Sequence, residues 1–305
     1  MEKINDIILI RIFLTDVQLR YLENKLSSYF QIIYLPNESS KIGTDIIDRV
    51  KVLVVYKITA FEVDKFKNLK FVQVYGRGME KICLKYLQEK NILYKNCRSK
   101  ELINSIGEYV LLQILYWERE LGKYNRIAHL GEWNWKERNN YHFRALKQLK
   151  VGVIGNGYLG RGVSAFLGQC GVKTLRINVG NRMTKEDYKK LKRMDYVSLH
   201  LPLSVETKQC IDKNFFEGMK DDAVLINTAR GEIINENELV NALEYMKIRG
   251  ASLDVTKEEP LSKSNILCGS SKIIITPHIA GRSDLVLSSY VYEIVQNIYR
   301  EVVKK

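Results

Sequence analysis

Proline is scarce in this chain, four residues in 305, and no stretch is low in complexity. That scarcity argues against disorder and against linkers of any length. Long apolar runs are missing as well: the longest, Tyr109 to Trp117, is far below the ~20 residues that a membrane helix needs. The opening run, Met1 to Phe13, is short and is interrupted by Arg11, which excludes a signal peptide. Histidine is rare, and neither His129 and His142 nor the five cysteines stand at a metal-ligand spacing. Without a Cys-x-x-Cys pair, Cys83, Cys97, Cys170, Cys210 and Cys268 read as free thiols in a reducing compartment. Internal repeats are absent. Together these absences predict a cytoplasmic globular protein with no membrane partner and no metal.

Lysine and arginine outnumber aspartate and glutamate by 48 to 35, a formal charge of +13. The excess is spread along the chain. Its densest group, Lys185, Lys189, Lys190, Lys192 and Arg193, reads as a solvated helix face, so no nucleic-acid partner is expected. A basic surface does attract anionic metabolites and phosphorylated cofactors.

The length suits two lobes, at ~100–200 residues per domain. Apolar runs at Ile7 to Leu14, Gln31 to Leu35, Val52 to Tyr56, Leu69 to Val74 and Asn91 to Tyr94 predict strands, with a helix over Asp16 to Phe30 between the first two. Alternating strands and helices imply a parallel sheet. The fourth strand ends in Tyr75-Gly76-Arg77-Gly78, which is either a plain loop or a turn whose backbone N–H groups hold a carboxylate. The pattern then changes. Ser105-Ile-Gly-Glu108 fits a capping box opening a long helix through Leu111, Leu112, Leu115 and Leu121, and the domain boundary is expected near residue 100. Leu130 to Arg144, with Trp133, Trp135 and His142, reads as a polar loop that provides surface packing between the lobes.

A second sheet is predicted from Val151, with strands at Thr174 to Val179, Tyr196 to Leu201, Ala223 to Thr228, Ala251 to Val255 and Ile273 to Thr276. A helix over residues 283 to 304, capped by Ser283, follows them. The first of these strands runs into Gly155-x-Gly157-x-x-Gly160. Gly155 permits a tight turn, Gly157 lets a phosphate approach the backbone, and Gly160 lets the helix lie close to the strand. Alone, this pattern also arises from packing. Arg230, Glu259 and His278 each follow a different strand, so a doubly wound fold brings them to one crevice. Singly they read as a surface charge, a turn residue and a helix-entry residue. Together, a guanidinium for a carboxylate, a histidine that exchanges a proton and a glutamate that orients it describe hydride transfer to a 2-keto acid beside a nicotinamide.

Several stretches resemble the D-isomer-specific 2-hydroxyacid dehydrogenases, the family of phosphoglycerate, glycerate and D-lactate dehydrogenases and glyoxylate/hydroxypyruvate reductases. They are Ser105-Ile-Gly-Glu-Tyr109, Val151 to Gly160, His200-Leu-Pro-Leu-Ser-Val-Glu-Thr207, Met219 to Gly231, Leu253-Asp-Val255, Glu259-Pro260 and Thr276-Pro-His-Ile-Ala-Gly281. They run in order over residues 100 to 282, with a weaker match at residues 69 to 94. The resemblance implies an α/β protein of two Rossmann-like lobes. A doubly wound cofactor lobe, 101–282, is inserted into a smaller flavodoxin-like substrate lobe, 1–100 completed by 283–305. No further regulatory domain is expected.

It further implies that Arg230 binds the substrate carboxylate, that His278 is the acid/base with Glu259 as its partner, and that Gly76, Arg77 and Gly78 cradle the carboxylate. Cofactor contacts are implied for Gly155, Gly157, Tyr158, Leu159, Gly160, Asn178, Arg182, Leu201, Pro202, Thr207, Thr228, Ala229, Asp254 and His278, with Asp254 holding the nicotinamide carboxamide. A homodimer through the cofactor lobes is implied too.

The chain departs from the family pattern in three places. Asn178 replaces the usual acidic residue after the second strand of the cofactor lobe, with Arg176 and Arg182 near, which keeps NADP and NAD both open and tilts toward NADP. Between Val179 and Asp195 there is room for a turn and a helix but no extra strand. The polar cap that often follows the first-lobe glycines is replaced by Met79-Glu-Lys-Ile-Cys83, leaving Arg77 as a candidate partner for a second anion on the substrate. The sequence therefore predicts reduction of a small 2-keto acid such as glyoxylate, hydroxypyruvate or phosphohydroxypyruvate. The alternative is a catalytically silent dinucleotide sensor or corepressor on the same fold.

Overall fold

The computed structural model describes residues 5–37, 42–132, 142–178 and 183–304. The chain divides into two compact units: Met1–Glu101 with Ser283–Lys305, and Leu102–Arg282. Both are built on all-parallel sheets.

In the first unit, β1 (Ile7–Ile10), β2 (Gln31–Tyr34), β3 (Val50–Val55), β4 (Phe71–Val74) and β5 (Leu93–Lys95) are ordered β2-β1-β3-β4-β5. This is the flavodoxin-like order, reversing direction between β1 and β3. Strands β1 and β4 are buried throughout, as near-continuous Ile/Val/Leu runs covered on both faces must be. Helices α1 (Asp16–Leu26), α2 (Thr44–Ile47), α3 (Ala60–Val63) and α4 (Leu84–Glu89) connect them. The first strand stops at Ile10 instead of reaching Leu14, because Thr15 already caps α1: its side chain accepts from the Gln18 amide while the Gln18 side chain accepts from the Thr15 amide.

The second unit opens within α5 (Lys100–Glu118) and continues through α6 (Leu121–His129), β6 (Lys150–Ile154), α7 (Tyr158–Gln169), β7 (Lys173–Ile177), α8 (Lys185–Leu191), β8 (Tyr196–Leu199), α9 (Lys213–Gly218), β9 (Val224–Asn227), α10 (Glu236–Glu244), β10 (Gly250–Leu253) and β11 (Ile273–Ile275). Its strand order is β11-β10-β9-β8-β6-β7, and the chain reverses direction at β6. Between β7 and β8 the described residues hold one helix and no extra strand. Strands β8, β9 and β10 are buried along their whole length, and Val197, Leu199, Leu225, Ala251 and Leu253 join Phe215, Phe216, Leu239 and Leu243 in one core.

Two helix predictions need correction. Ser105 does not begin a helix, for α5 starts at Lys100 and buries Leu102 on the face that also buries Ile106, Tyr109 and Ile114. The Ser-x-x-Glu spacing lies inside the helix, where Ser105 donates to the Ala280 carbonyl (3.0 Å). Nor does the helix reach Leu121. Glu120 has a left-handed backbone, φ 46°, which ends α5, and Leu121 opens the separate α6 with its side chain exposed. His142 is exposed, while Trp133 and Trp135 lie outside the described residues.

The C-terminal helix α11 (Asp284–Ile298) belongs to the first unit. It is capped by Ser283, packs against α1 and β4, and ends in a π-helical turn at Tyr299–Val303. Asn297 Nδ2 donates to Gln73 Oε1 at 3.0 Å and Ser289 Oγ donates to Ser99 Oγ at 2.6 Å, fastening it to that unit. No helix among the described residues is long and apolar enough to cross a membrane.

Candidate active site

In a parallel sheet every strand delivers its next residues to the same edge. In the second unit that edge gathers the residues after β6, β8, β9, β10 and β11.

The glycine turn follows β6. Gly155 has φ +109°, and a Cβ there would lie 2.5 Å from the His200 carbonyl oxygen. A Cβ on Gly160 would come within 2.1 Å of the Gly155 carbonyl oxygen, so only glycine lets α7 start this close to the strand. Around Gly157 nothing lies within 4 Å of the Cβ position, which leaves open space in front of the α7 amides. Tyr158 and Leu159, both half-buried, form the first turn of that helix. Asn156 is pinned by two arginines: Arg161 Nη1 donates to its carbonyl (3.0 Å) and Arg176 Nη1 to its Oδ1 (2.9 Å). Asn178 is exposed at the end of β7, and Arg182 lies outside the described residues.

After β8, Leu201 is buried and Pro202 exposed. Thr207 closes the following loop by donating to the Pro202 carbonyl (2.6 Å) and accepting from the Ser204 amide (2.8 Å). His200 sits beneath the glycine turn with Nε2 at 2.9 Å from Ser198 Oγ, and burial pushes its pKa down from 6.5 to about 4. The unfolded chain binds this proton below pH 6.5 while the folded one resists it. Stability present above that pH is therefore lost as pH falls toward 4, by roughly 3 kcal/mol at most. Thermal melts at about pH 7 and about pH 4.5 check this: the acid-induced drop in Tm is expected to be smaller in His200→Gln than in the parent. Equal drops would contradict it.

Asn227 ends β9 fully buried and shapes the next loop: its Oδ1 accepts from the Ala229 amide and its Nδ2 donates to the Arg230 carbonyl, both at 2.9 Å. Arg230 is half-buried, with Nη1 donating to the Ala229 carbonyl (2.6 Å). Gly231 is pressed against the Thr256–Lys257 backbone, where a Cβ would lie 1.9 Å from the Thr256 carbonyl carbon. Thr228 Oγ1 is buried and has no hydrogen-bond partner among the described residues. A lone buried hydroxyl at a ligand edge is the state of a group that meets a ligand.

The ends of β10 and β11 meet at His278. Its Nδ1 lies 3.0 Å from Glu259 Oε2; an ionised carboxylate only accepts, so Nδ1 carries the proton and Nε2 points to the other side of the ring. Its backbone is left-handed, φ 55°, a strained state for a non-glycine residue. Asp254, 2 % exposed, accepts at Oδ1 from Thr276 Oγ1 (2.6 Å) and the Ile279 amide (2.8 Å), and at Oδ2 from the Ala280 amide (2.8 Å). Asn227 and Asp254 thus hold the loops that carry Arg230 and His278. Asn227 and Tyr109 lie within the stretches that carry the family resemblance, but no spacing signal marks what they hold; the Tyr109 hydroxyl reaches Thr276.

The turn at Gly76, Arg77 and Gly78 belongs to the first unit. Gly76 has φ +92°, and the carbonyls of Gly76 and Arg77 accept from the Cys97 amide (2.9 Å) and Asn96 Nδ2 (2.7 Å).

The open space at Gly157, the amides of α7 and the lone Thr228 hydroxyl fit a dinucleotide. A family model described as D-isomer specific 2-hydroxyacid dehydrogenase, NAD binding domain, matches residues 111–280. The chain belongs to this family. D-2-hydroxyacid dehydrogenases are oxidoreductases that act on CH–OH groups. A glyoxylate reductase of Thermofilum pendens is 31 % identical over 245 residues, covering 76 % of this chain and 72 % of the relative. A glycerate dehydrogenase of Methylorubrum extorquens is 28 % identical over 276 residues, covering 87 % of this chain and 88 % of the relative. Among solved structures, a D-lactate dehydrogenase of Aquifex aeolicus complexed with NAD and lactic acid shares the fold with a TM-score of 0.81 and 24 % identity, over 98 % of this chain and 96 % of that one. An acyclic imino acid reductase in complex with NADPH and D-Arg also has a TM-score of 0.81, with 22 % identity over 98 % of both chains. Relatives of this fold have thus been seen with either cofactor.

Proposed function

We propose that this dehydrogenase reduces a small 2-keto acid to the D-2-hydroxy acid with a nicotinamide dinucleotide, glyoxylate, hydroxypyruvate and phosphohydroxypyruvate being the leading substrates. The observation that carries the reading is His278 Nδ1 at 3.0 Å from Glu259 Oε2, on the edge that also presents Arg230 and the glycine turn. When bound, the dinucleotide supplies the hydride that reaches C2 of the substrate. Arg230 takes the substrate carboxylate with paired N–H donors. Glu259 holds the imidazole by Nδ1, so that Nε2 gives its proton to the oxygen on C2 and takes it back in the reverse direction.

Gly155, Gly157, Tyr158, Leu159 and Gly160 serve the pyrophosphate, and Leu201, Pro202, Thr207, Thr228, Ala229 and Asp254 line the remaining length of the cofactor. The turn Gly76, Arg77 and Gly78 is proposed, on its own geometry, as a carboxylate-binding element. Asn178 supplies no carboxylate against a 2′-phosphate, which favours NADP over NAD. A cytoplasmic homodimer completes the reading.

A panel of 2-keto acids against NADPH and NADH, followed by loss of reduced-nicotinamide absorbance, tests it. Turnover of at least one 2-keto acid is expected. Tight cofactor binding with no turnover on any of them would leave a dinucleotide sensor or corepressor.

A further inference from the structure

The loop from Thr276 to Ala280 carries His278 and is gripped from one side by α5. Tyr109 Oη lies 2.7 Å from Thr276 Oγ1, and four residues earlier on the same helix face Ser105 Oγ donates to the Ala280 carbonyl at 3.0 Å. The direction of the first bond follows from counting protons. Thr276 has one hydroxyl proton and gives it to Asp254 Oδ1 (2.6 Å), so Tyr109 must be the donor to Thr276. The tyrosine is suited to that part, because burial raises its pKa to about 12 and keeps the hydroxyl protonated. Asp254 completes the grip: its carbonyl accepts the His278 amide (2.9 Å), and its carboxylate takes the amides of Ile279 and Ala280 (2.8 Å each).

We infer that Tyr109, acting through Thr276 and Asp254 and seconded by Ser105, is a positioning residue that holds the left-handed His278 backbone so that the imidazole stays in its reactive place. A strained φ of 55° persists only where the surroundings over-determine it. The chain of bonds from α5 is that over-determination. The inference rests on the proposed function for its catalytic meaning, since His278 must be the group that acts.

Four variants and three readouts test it: Tyr109→Phe, Thr276→Val, their double and Thr276→Ser, with kcat on the best 2-keto acid, the Kd for the reduced cofactor and the NMR signals of the His278 ring. The ring signals are assigned by their loss in His278→Gln, in a chain with four histidines. Removing the Tyr109 hydroxyl is expected to lower kcat about 10-fold or more, with the Kd for the reduced cofactor changed by less than about 2-fold. The double variant should be no slower than Thr276→Val alone, and Thr276→Ser should restore kcat. The His278 signals should move in Tyr109→Phe while those of exposed His129 and His142 stay. Unchanged kcat and unchanged His278 signals, or additive losses in the double variant, would overturn the inference. If the parent protein turns over no 2-keto acid yet the His278 signals move, the functional reading falls and the positioning role stands.

Discussion

Replacing His278 by glutamine is expected to lower kcat for 2-keto acid reduction by ~10²–10⁴-fold, the range that a positioned general acid contributes. Glutamine keeps a polar side chain of similar reach and can still donate to Glu259, so the loop and the cofactor edge stay as they are. What it cannot do is give up a proton near neutral pH. The imidazole side chain is 53 % exposed, so no core packing is lost with it. The loss should therefore appear in kcat, the pattern of an interaction made only in the transition state. A kcat within about 3-fold of the parent would move the proton to another group and remove the role assigned to His278.

The second large effect belongs to Arg230. A lysine there keeps the positive charge but loses the planar fork that meets a carboxylate with two parallel bonds. Each hydrogen bond to a charged group contributes about 1.5–3 kcal/mol, and lysine keeps one of the two, so Arg230→Lys is expected to lower kcat/KM for the keto acid by ~10–10²-fold. The change should fall largely on KM, because the carboxylate is present in substrate and transition state alike. The lysine also gives up the bond from Nη1 to the Ala229 carbonyl at 2.6 Å, which helps keep the side chain in its place. An unchanged kcat/KM, measured over the same keto acids, would show that the carboxylate is held elsewhere.

Strands β1, β4 and β8 to β10 were legible because strands covered on both faces read as near-continuous apolar runs, and the glycine turn because its backbone needs are local. A Cβ would lie 2.5 Å from a neighbouring oxygen at Gly155 and 2.1 Å from one at Gly160, a constraint that glycine alone meets. The meeting of Glu259 and His278 was legible for a different reason, since parallel strands send their successors to one edge whatever the sequence between them.

Helix ends were less readable. Ser105 carries the letters of a cap, yet its hydroxyl is used across the fold on Ala280, and the helix begins five residues earlier where Ser99 accepts from the Glu101 amide. Glu120 ends α5 with a left-handed backbone that glutamate does not advertise. The support behind the site was least legible. Tyr109 and Thr276 stand far apart in sequence, and only the tertiary fold sets their hydroxyls 2.7 Å apart.

The handedness of the product reports most directly on hydride transfer to C2 of a 2-keto acid. With hydroxypyruvate and reduced nicotinamide cofactor, chiral chromatography of the glycerate formed should show the D-enantiomer alone. Formation of L-glycerate, or of no glycerate while other 2-keto acids are equally inert, would contradict the account.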